Sequence, residues 1–238
     1  MIRVGIYNEF QHEQNSEAIR AVYPEGIHGE IKKFLESDEI SVKTYTLETV
    51  EQLTDEELST IDVLIWWGHM AHHKVPDEVA QRVQQAVLKG MGMIFLHSGH
   101  HSKPFRLLMG TTCNLTWRED GDYERVWVVK PSHPIAKGLG RFIYLPSEET
   151  YGEPFDVPEP LETVFIGGYQ RGEVFRSGMT YRRGNGKIFY FQPGHESNPT
   201  FKIPDVQTVI RNAVYWAKPD YRVDELVCPH VQIPGIEG

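Results

Sequence analysis

The chain is poor in cysteine, in basic residues and in long hydrophobic runs. Its 238 residues include two cysteines, Cys113 and Cys228, which excludes a disulfide framework and a thiolate zinc site. The longest apolar run, residues 63–67, is too short to cross a bilayer. Lys and Arg total 24 against 33 Asp and Glu, and the net charge of −9 argues against binding to nucleic acid or to anionic membranes.

Two further signals are missing from the sequence. A predicted strand begins directly after Met1, so we expect no signal peptide and a cytoplasmic protein. No P-loop and no GxGxxG motif is present, so we do not expect nucleotide binding by this chain. Hydrophobic residues make up 40% of the chain, which is ordinary for a soluble globular protein with a full core.

The first hundred residues alternate between predicted strands and helices. Apolar and alternating patterns predict strands at residues 3–7, 41–47, 63–66 and 91–96. Helices are predicted at residues 27–36, 54–58 and 77–89, the second from the capping box that begins at Thr54. This alternation favours an open, mainly parallel α/β sheet with right-handed crossovers.

The pattern changes after residue 112 to short strands separated by Gly and Pro. These strands are predicted near residues 127–129, 142–145, 163–166, 174–181 and 187–191. With no linker before them, we expect an antiparallel extension of the same sheet, followed by a helix at residues 205–217. The prediction is therefore one domain over residues 1–218 and a C-terminal tail over residues 219–238.

Histidines are concentrated at predicted strand ends. Six of the eleven lie between residues 69 and 101. His69, His97 and His195 each follow a predicted strand, at the edge where an open α/β sheet gathers its ligands. Because neutral imidazole is a common zinc ligand, these positions predict a metal site. His72, His73 and His101 are weaker candidates by their position, and His133 and His230 fit structural roles.

The segment around His97 has the pattern of a nucleophile elbow, in which a strand ends at a residue followed by x-Gly and a helix. Residues 96–100 (LHSGH) resemble the elbow of class I glutamine amidotransferases, where a cysteine precedes x-Gly-His. His195 and Glu196 lie where those enzymes place the histidine and acid of their triad. His97 replaces the cysteine, Ser98 is one residue beyond the elbow tip, and Cys113 is far along the chain. We therefore expect the ammonia-transfer chemistry to be lost.

Several longer segments resemble the trehalose-utilisation ThuA family. They cover residues 7–13, 23–28, 66–72, 96–100, 109–113, 172–178 and 186–191, and the likeness runs from about residue 3 to 217. The resemblance implies the flavodoxin-like sheet of the class I glutamine amidotransferase-like superfamily. It also implies a role in disaccharide metabolism beside a nicotinamide-dependent sugar oxidoreductase that makes 3-ketosugars.

The predicted metal ligands are His28, His69, His97 and His195, with zinc as the expected metal. His28 joins the set because it begins the first predicted helix, where a neutral imidazole is favoured over a protonated one. A local hydrogen-bonding role for His28 remains the alternative. Each candidate ligand lies at a strand exit or a helix start, so the four side chains can point into one crevice.

Carboxylates and aromatic residues complete the predicted site. Glu9, Glu149 and Glu196 are the candidate general bases. Two more carboxylates are close to them in the sequence, Glu13 shortly after Glu9 and Glu148 directly before Glu149. The candidate substrate-binding residues are Trp67, Arg118 and Tyr123, because aromatic rings and hydrogen-bond donors suit a sugar. The alternative for Trp67 is a position in the core, and the alternative for the segment around Arg118 and Tyr123 is a subunit interface.

The preferred function is that of a metal-dependent enzyme acting on an oxidised sugar by isomerisation or elimination. A non-catalytic sugar- or metal-binding accessory protein on the same fold is the alternative, and residual amide hydrolysis is a third possibility. An acidic chain with an extended tail is also expected to form a homo-oligomer.

Overall fold

The computed structural model describes residues 1–228, so His230 and the second half of the predicted tail lie outside the described residues. The strands are β1 (Ile2–Asn8), β2 (Ile40–Thr46), β3 (Val63–Trp67), β4 (Gly92–Leu96), β5 (Thr116–Arg118), β6 (Glu124–Val128), β7 (Phe142–Leu145), β8 (Thr150–Gly152), β9 (Glu162–Tyr169), β10 (Val174–Arg183) and β11 (Gly186–Phe191). The helices are α1 (His12–Asn15), α2 (Glu17–Val22), α3 (Gly26–Leu35), α4 (Asp55–Thr60), α5 (Asp77–Lys89), α6 (Lys103–Met109) and α7 (Pro204–Ala217).

Nine strands form one sheet in the order β2-β1-β3-β4-β11-β10-β9-β6-β7. The strands from β2 to β11 pair in parallel, and those from β11 to β7 pair antiparallel. The predicted mainly parallel α/β sheet with an antiparallel extension is therefore confirmed. Two strands that the sequence did not predict, β5 and β8, form a separate two-stranded sheet.

The core lies on both faces of the sheet. On one face, α3 and α7 pack through side chains such as Ile31 and Ile210 against Ile65 and Phe189. On the other face, α5 and α6 pack against side chains of the sheet such as Tyr7 in β1 and Tyr190 in β11. Because both faces are covered, β3 and β4 are buried along their whole length, which explains their continuous apolar sequences.

The sequence missed the helices α1, α2 and α6 and the strands β5 and β8. α2 has no buried residue, so it lacks the apolar face on which periodicity depends. β5 is three residues long and exposed at two of them, so it gives no alternating pattern. Among the described residues, no helix has the length and hydropathy to cross a membrane.

Candidate functional site

Three histidines that follow parallel strands meet at the carboxyl edge of the sheet. His69 comes after β3, His97 after β4 and His195 after β11. The ligand atoms of these residues and of Glu149 lie within 4.8 Å of one another. We call these four residues the histidine cluster. Neighbouring parallel strands end at one edge of a sheet, and this topology brings together residues that are far apart in the chain.

His97 is the most constrained member of the cluster. Its side chain is fully buried, and its backbone φ of +51° is a left-handed conformation that residues other than glycine rarely adopt. Such strain between a strand and a helical turn is typical of a nucleophile elbow. Nδ1 of His97 donates to the carbonyl oxygen of Gln192 at 3.0 Å, and this leaves Nε2 as the ring nitrogen available to bind a ligand.

Nε2 of His97 lies 3.0 Å from a carboxylate oxygen of Glu149. The angles are poor for a hydrogen bond, so neither of these buried atoms has a hydrogen-bond partner among the described residues. Burial lowers the pKa of His97, but Glu149 and neighbouring carboxylates outweigh burial and raise the pKa to about 9. Burial raises the pKa of Glu149, and the contact with His97 reverses this and lowers it. A cation between the two side chains would satisfy both atoms.

His69 is held from behind by Glu196. Its Nδ1 donates to a carboxylate oxygen of Glu196 at 2.8 Å, which leaves Nε2 available to the cluster. The second oxygen of Glu196 lies 3.2 Å from Nδ1 of His12. Burial raises the pKa of Glu196, but His69 and the other histidines lower it to about 2. A carboxylate that fixes the tautomer of a histidine in this way is the usual second partner of a metal-ligating imidazole.

His195 is positioned by a tight turn. Gly194 has a φ of +136°, and a Cβ at this position would lie 2.5 Å from the ring of Phe201, so the turn requires glycine. The backbone N–H groups of Gly194 and His195 donate to Glu148 at 3.1 and 3.0 Å. The His195 ring contacts the hydroxyl of Ser197 through Nδ1 at 2.7 Å. Burial, aided by the charge of His97, lowers the pKa of His195 to about 4, so this ring is neutral at physiological pH.

Glu9, a predicted general base, instead anchors the loop that carries His69. Its two carboxylate oxygens accept hydrogen bonds from the backbone N–H groups of Met70 and Ala71, at 2.8 and 2.9 Å. The carboxylate is buried, with 1% of its surface exposed. Both oxygens are therefore used in holding backbone, and this arrangement does not support proton transfer by Glu9.

His28 and Trp67 lie outside the histidine cluster. His28 is beside β1, where Nδ1 contacts the side-chain amide of Asn8 at 3.0 Å, and burial lowers its pKa. Its ring is not among the atoms that lie within reach of a common metal. Trp67 is fully buried, and its Nε1 donates to the carbonyl oxygen of Gly194 at 3.0 Å. Trp67 thus supports the turn before His195 and is not accessible for stacking on a sugar.

Arg118 and Tyr123 are occupied by other contacts. Arg118 forms ion pairs with Asp120, Asp122 and Glu173. Arg118 is partly exposed at the end of β5 and lies beside the site. Its guanidinium, however, is bound to these three carboxylates. Tyr123 lies under the guanidinium of Arg125, which is 4.9 Å from the ring centre. These contacts within the protein do not support the predicted substrate-binding roles of Arg118 and Tyr123.

Five further histidines of the described residues lie outside the histidine cluster, and three of them have local partners. His101 contacts the side chain of Asn114 at 2.9 Å, and His100 contacts the carbonyl oxygen of Cys113 at 2.8 Å. Burial lowers the pKa of His72 to about 3, and His73 is exposed. His133 accepts a hydrogen bond from the backbone of Ile135 at 3.1 Å, the structural role expected for it.

A cavity of about 230 Å³ reaches the histidine cluster, because His69 and Glu149 are part of its lining. Ser98, Asn114 and Trp117 lie in other parts of the same lining, and 67% of the Trp117 side chain is exposed. A larger cavity of about 420 Å³ lies between α5 and α6, distant from the cluster. We assign the substrate cavity by chemistry and not by size, since only the smaller cavity contacts clustered ligand atoms.

The structure places three further residues at the site. Sequence reasoning missed His12, and it named Glu148 only as a nearby carboxylate and Glu119 only as part of the candidate sugar-binding loop around Arg118 and Tyr123. His12 lies in α1, just beyond β1, and applying the strand-exit rule to β1 would have found it. Glu148 holds the turn at His195, a role that no sequence signal shows. Glu119 follows β5, and one of its carboxylate oxygens lies 3.7 Å from Nε2 of His195. The tertiary path of the β5–β6 loop determines that approach.

Comparisons with known proteins agree with this architecture. The family model ThuA, described as trehalose utilisation, matches residues 3–217. A ThuA-like protein from Parabacteroides merdae is 16% identical, with 95% of this chain and 92% of that chain covered and a TM-score of 0.69. A cytoplasmic protein from Salmonella typhimurium is 10% identical over 92% of this chain and 100% of that chain, with a TM-score of 0.63. A glutamine amidotransferase from Thermotoga maritima is 12% identical over 90% and 97%, with a TM-score of 0.55. A search of curated protein sequences gave no significant match.

Proposed function

The chain belongs to the ThuA family of trehalose utilisation, and on this premise we propose that it is a metal-dependent enzyme acting on an oxidised, keto sugar. The observation that carries the proposal is the histidine cluster, in which three imidazoles and one carboxylate converge. We further propose that the protein acts in the cytoplasm, as does the structurally similar cytoplasmic protein from Salmonella typhimurium.

The donor set of the histidine cluster fits a divalent metal. Imidazole nitrogens and a carboxylate oxygen are the ligands that zinc accepts in proteins, so zinc is the metal we expect. The partnerless buried atoms of His97 and Glu149 support this fit, because a buried polar atom without a partner is costly. A bound divalent ion would act as a Lewis acid toward a keto oxygen of the substrate.

The surrounding residues prepare the cluster to receive a cation. Gln192 fixes the ring of His97, Glu196 fixes that of His69, and Glu148 fixes the turn before His195. These contacts use Nδ1 of His97 and of His69 and leave Nε2 available in both. Such preorganisation limits the ring motion that would otherwise be lost on binding.

The cavity beside the cluster is suited to one sugar ring. At about 230 Å³ it is smaller than the sites that enclose drug-sized ligands, which are about 300–1,000 Å³. Trp117 offers an exposed aromatic face at this cavity, and Ser98, His101 and Asn114 offer hydrogen-bonding groups. We propose that a keto sugar enters here with its carbonyl toward Glu149 and His69.

Glutamine hydrolysis is not supported by the residues present. His97 occupies the elbow position where amidotransferases carry cysteine, and Cys113 lies outside the histidine cluster. Cys113 is buried, and burial raises the pKa of its thiol, which disfavours the nucleophilic thiolate. The similarity to a glutamine amidotransferase therefore concerns the fold alone.

We propose that a nicotinamide-dependent sugar oxidoreductase is the functional partner and supplies the substrate. The test is therefore turnover of 3-ketosugars that such an oxidoreductase makes in situ. Product formation is followed by NMR with the purified protein, with the protein after chelation, and after zinc is added back. We expect turnover that chelation abolishes and zinc restores. Sugar binding without turnover would refute the proposal and would favour the non-catalytic binding protein.

A further inference from the structure

The carboxylates around the histidine cluster differ in whether an oxygen is free. Glu9 spends both oxygens on backbone N–H groups, and Glu148 accepts from Gly194, His195 and Thr200. Glu196 contacts His69 and His12, and Glu149 faces His97 from within the cluster. A general base needs an oxygen that can approach a substrate proton. Contacts within the protein occupy Glu9, Glu148 and Glu196, and we assign the free oxygen of Glu149 to the metal.

Glu119 is different from these four. It follows β5, its side chain is 57% exposed, and one carboxylate oxygen lies 3.7 Å from Nε2 of His195. Among the described residues, no hydrogen bond and no Lys or Arg ion pair holds the carboxylate of Glu119. The neighbouring Asp120, in contrast, is ion-paired with Arg118 and Arg171. Glu119 is therefore a carboxylate at the solvent side of the cluster that no other contact among the described residues uses.

The loop that carries Glu119 is anchored on both sides, and this anchoring holds Glu119 near His195. Arg118 binds Asp120, Asp122 and Glu173, so the backbone on both sides of Glu119 is tied to β5 and to the turn before β10. Trp117, which lines the substrate cavity, lies two residues before Glu119. The same short segment therefore supplies an aromatic face to the cavity and a free carboxylate to the cluster.

We propose that Glu119 is the general base of the reaction, in place of Glu9, Glu149 and Glu196. This inference rests on the proposed ketosugar function. The carboxylate of Glu119 removes the proton from the carbon next to the keto carbon, the C–H electron pair forms the C=C bond, and the carbonyl π pair moves to the keto oxygen, which gives an enediolate. In isomerisation, the hydroxyl proton of the neighbouring carbon moves to the former keto oxygen, a new C=O bond forms at that neighbouring carbon, and the C=C pair takes the proton of Glu119 onto the former keto carbon. In elimination, the C=O bond re-forms, the C=C pair shifts toward the carbon that bears the leaving group, and the C–O bond there breaks; the departing oxygen keeps the bond pair and takes the proton from Glu119. Protons and electrons balance without an oxidant or reductant.

The test compares Glu119→Gln with Glu159→Gln, which removes one carboxylate charge from an exposed glutamate outside the histidine cluster and outside the cavity lining. Four quantities are measured with 3-ketotrehalose in D2O: kcat, KM, the exchange of the proton next to the keto group by NMR, and bound zinc. We expect Glu119→Gln to lower kcat and the exchange rate by about 10²–10⁴-fold, the usual contribution of a general base. Zinc content and KM should stay near the wild-type values, and Glu159→Gln should retain wild-type rates.

Three outcomes would overturn the inference. The first is wild-type proton exchange in Glu119→Gln, which would show that another group removes the proton. The second is loss of zinc in that variant, which would make Glu119 a ligand of the metal. The third is an equal loss of rate in Glu159→Gln, which would show that the loss of a surface charge and not the Glu119 oxygen matters. An inactive wild-type protein would instead refute the proposed function, and with it this inference.

Discussion

Replacing Glu196 by glutamine should weaken metal binding without removing any ligand from the histidine cluster. The carboxylate of Glu196 contacts the ring nitrogens of His69 at 2.8 Å and of His12 at 3.2 Å. A glutamine can accept from one ring through its oxygen, but its NH2 group then faces the N–H of the other ring. At least one charge-assisted hydrogen bond is lost, at a cost of about 1.5–3 kcal/mol.

This cost predicts a fall in zinc affinity of about 10–100-fold, the range found when the carboxylate behind a ligating histidine is removed. Affinity is measured by competition with a chromophoric chelator, and circular dichroism checks that the variant is folded. The matched control is Glu162→Gln, because Glu162 contacts His133 at 3.1 Å far from the cluster. Zinc affinity equal to wild type in Glu196→Gln, or an equal loss in Glu162→Gln, would refute the reasoning.

Three further predictions address stability and binding. Burial raises the pKa of Asp62, but the contacts with Arg3 outweigh burial and lower it. The ionised Asp62 carboxylate therefore stabilises the fold above the unfolded pKa near 3.9, and this stabilisation is lost as the pH falls through the lower, folded pKa. Asp62→Asn should therefore cost about 0.5–1 kcal/mol in urea unfolding at pH 7 and much less near pH 3, and an equal cost at both would contradict this. Gly194→Ala should cost about 1–3 kcal/mol and reduce zinc affinity, because its Cβ would meet Phe201 at 2.5 Å; unchanged thermal unfolding would refute the requirement for glycine. Trp117→Ala should weaken 3-ketotrehalose binding in calorimetry by about tenfold, since an aromatic contact contributes about 0.5–1.5 kcal/mol beyond its buried area, while zinc binding is retained; unchanged sugar binding would exclude Trp117 from the site.

The part of the fold that could be predicted is the part with strong local patterns. Val63–Trp67 and Gly92–Leu96 are continuous apolar strands because helices cover both faces of the sheet there. Asp77–Lys89 has acidic residues at its start, a lysine at its end and a glycine after it, and the structure gives this helix the predicted bounds. The short polar helices and the β5–β8 pair lack such patterns, and tertiary contacts determine them.

Strand-exit topology predicted which histidines approach one another but not the role of each carboxylate. His69, His97 and His195 lie together because β3, β4 and β11 are parallel neighbours in the sheet. His28 does not join them, since it lies in α3 and packs beside Phe10 and Asn8. Carboxylates that bind backbone and those that remain free have the same sequence signature, so only the three-dimensional contacts distinguish them.

Bound zinc per chain tests the central claim most directly. Wild-type protein, His97→Ala, His195→Ala and the control His133→Ala are dialysed to equilibrium against zinc, and the metal is measured by elemental analysis. We expect one equivalent of tightly bound zinc in the wild type and in His133→Ala, because His133 lies outside the histidine cluster. Both cluster variants should hold much less, since each loses an imidazole ligand. A full equivalent retained in both His97→Ala and His195→Ala would contradict the assignment of the metal site.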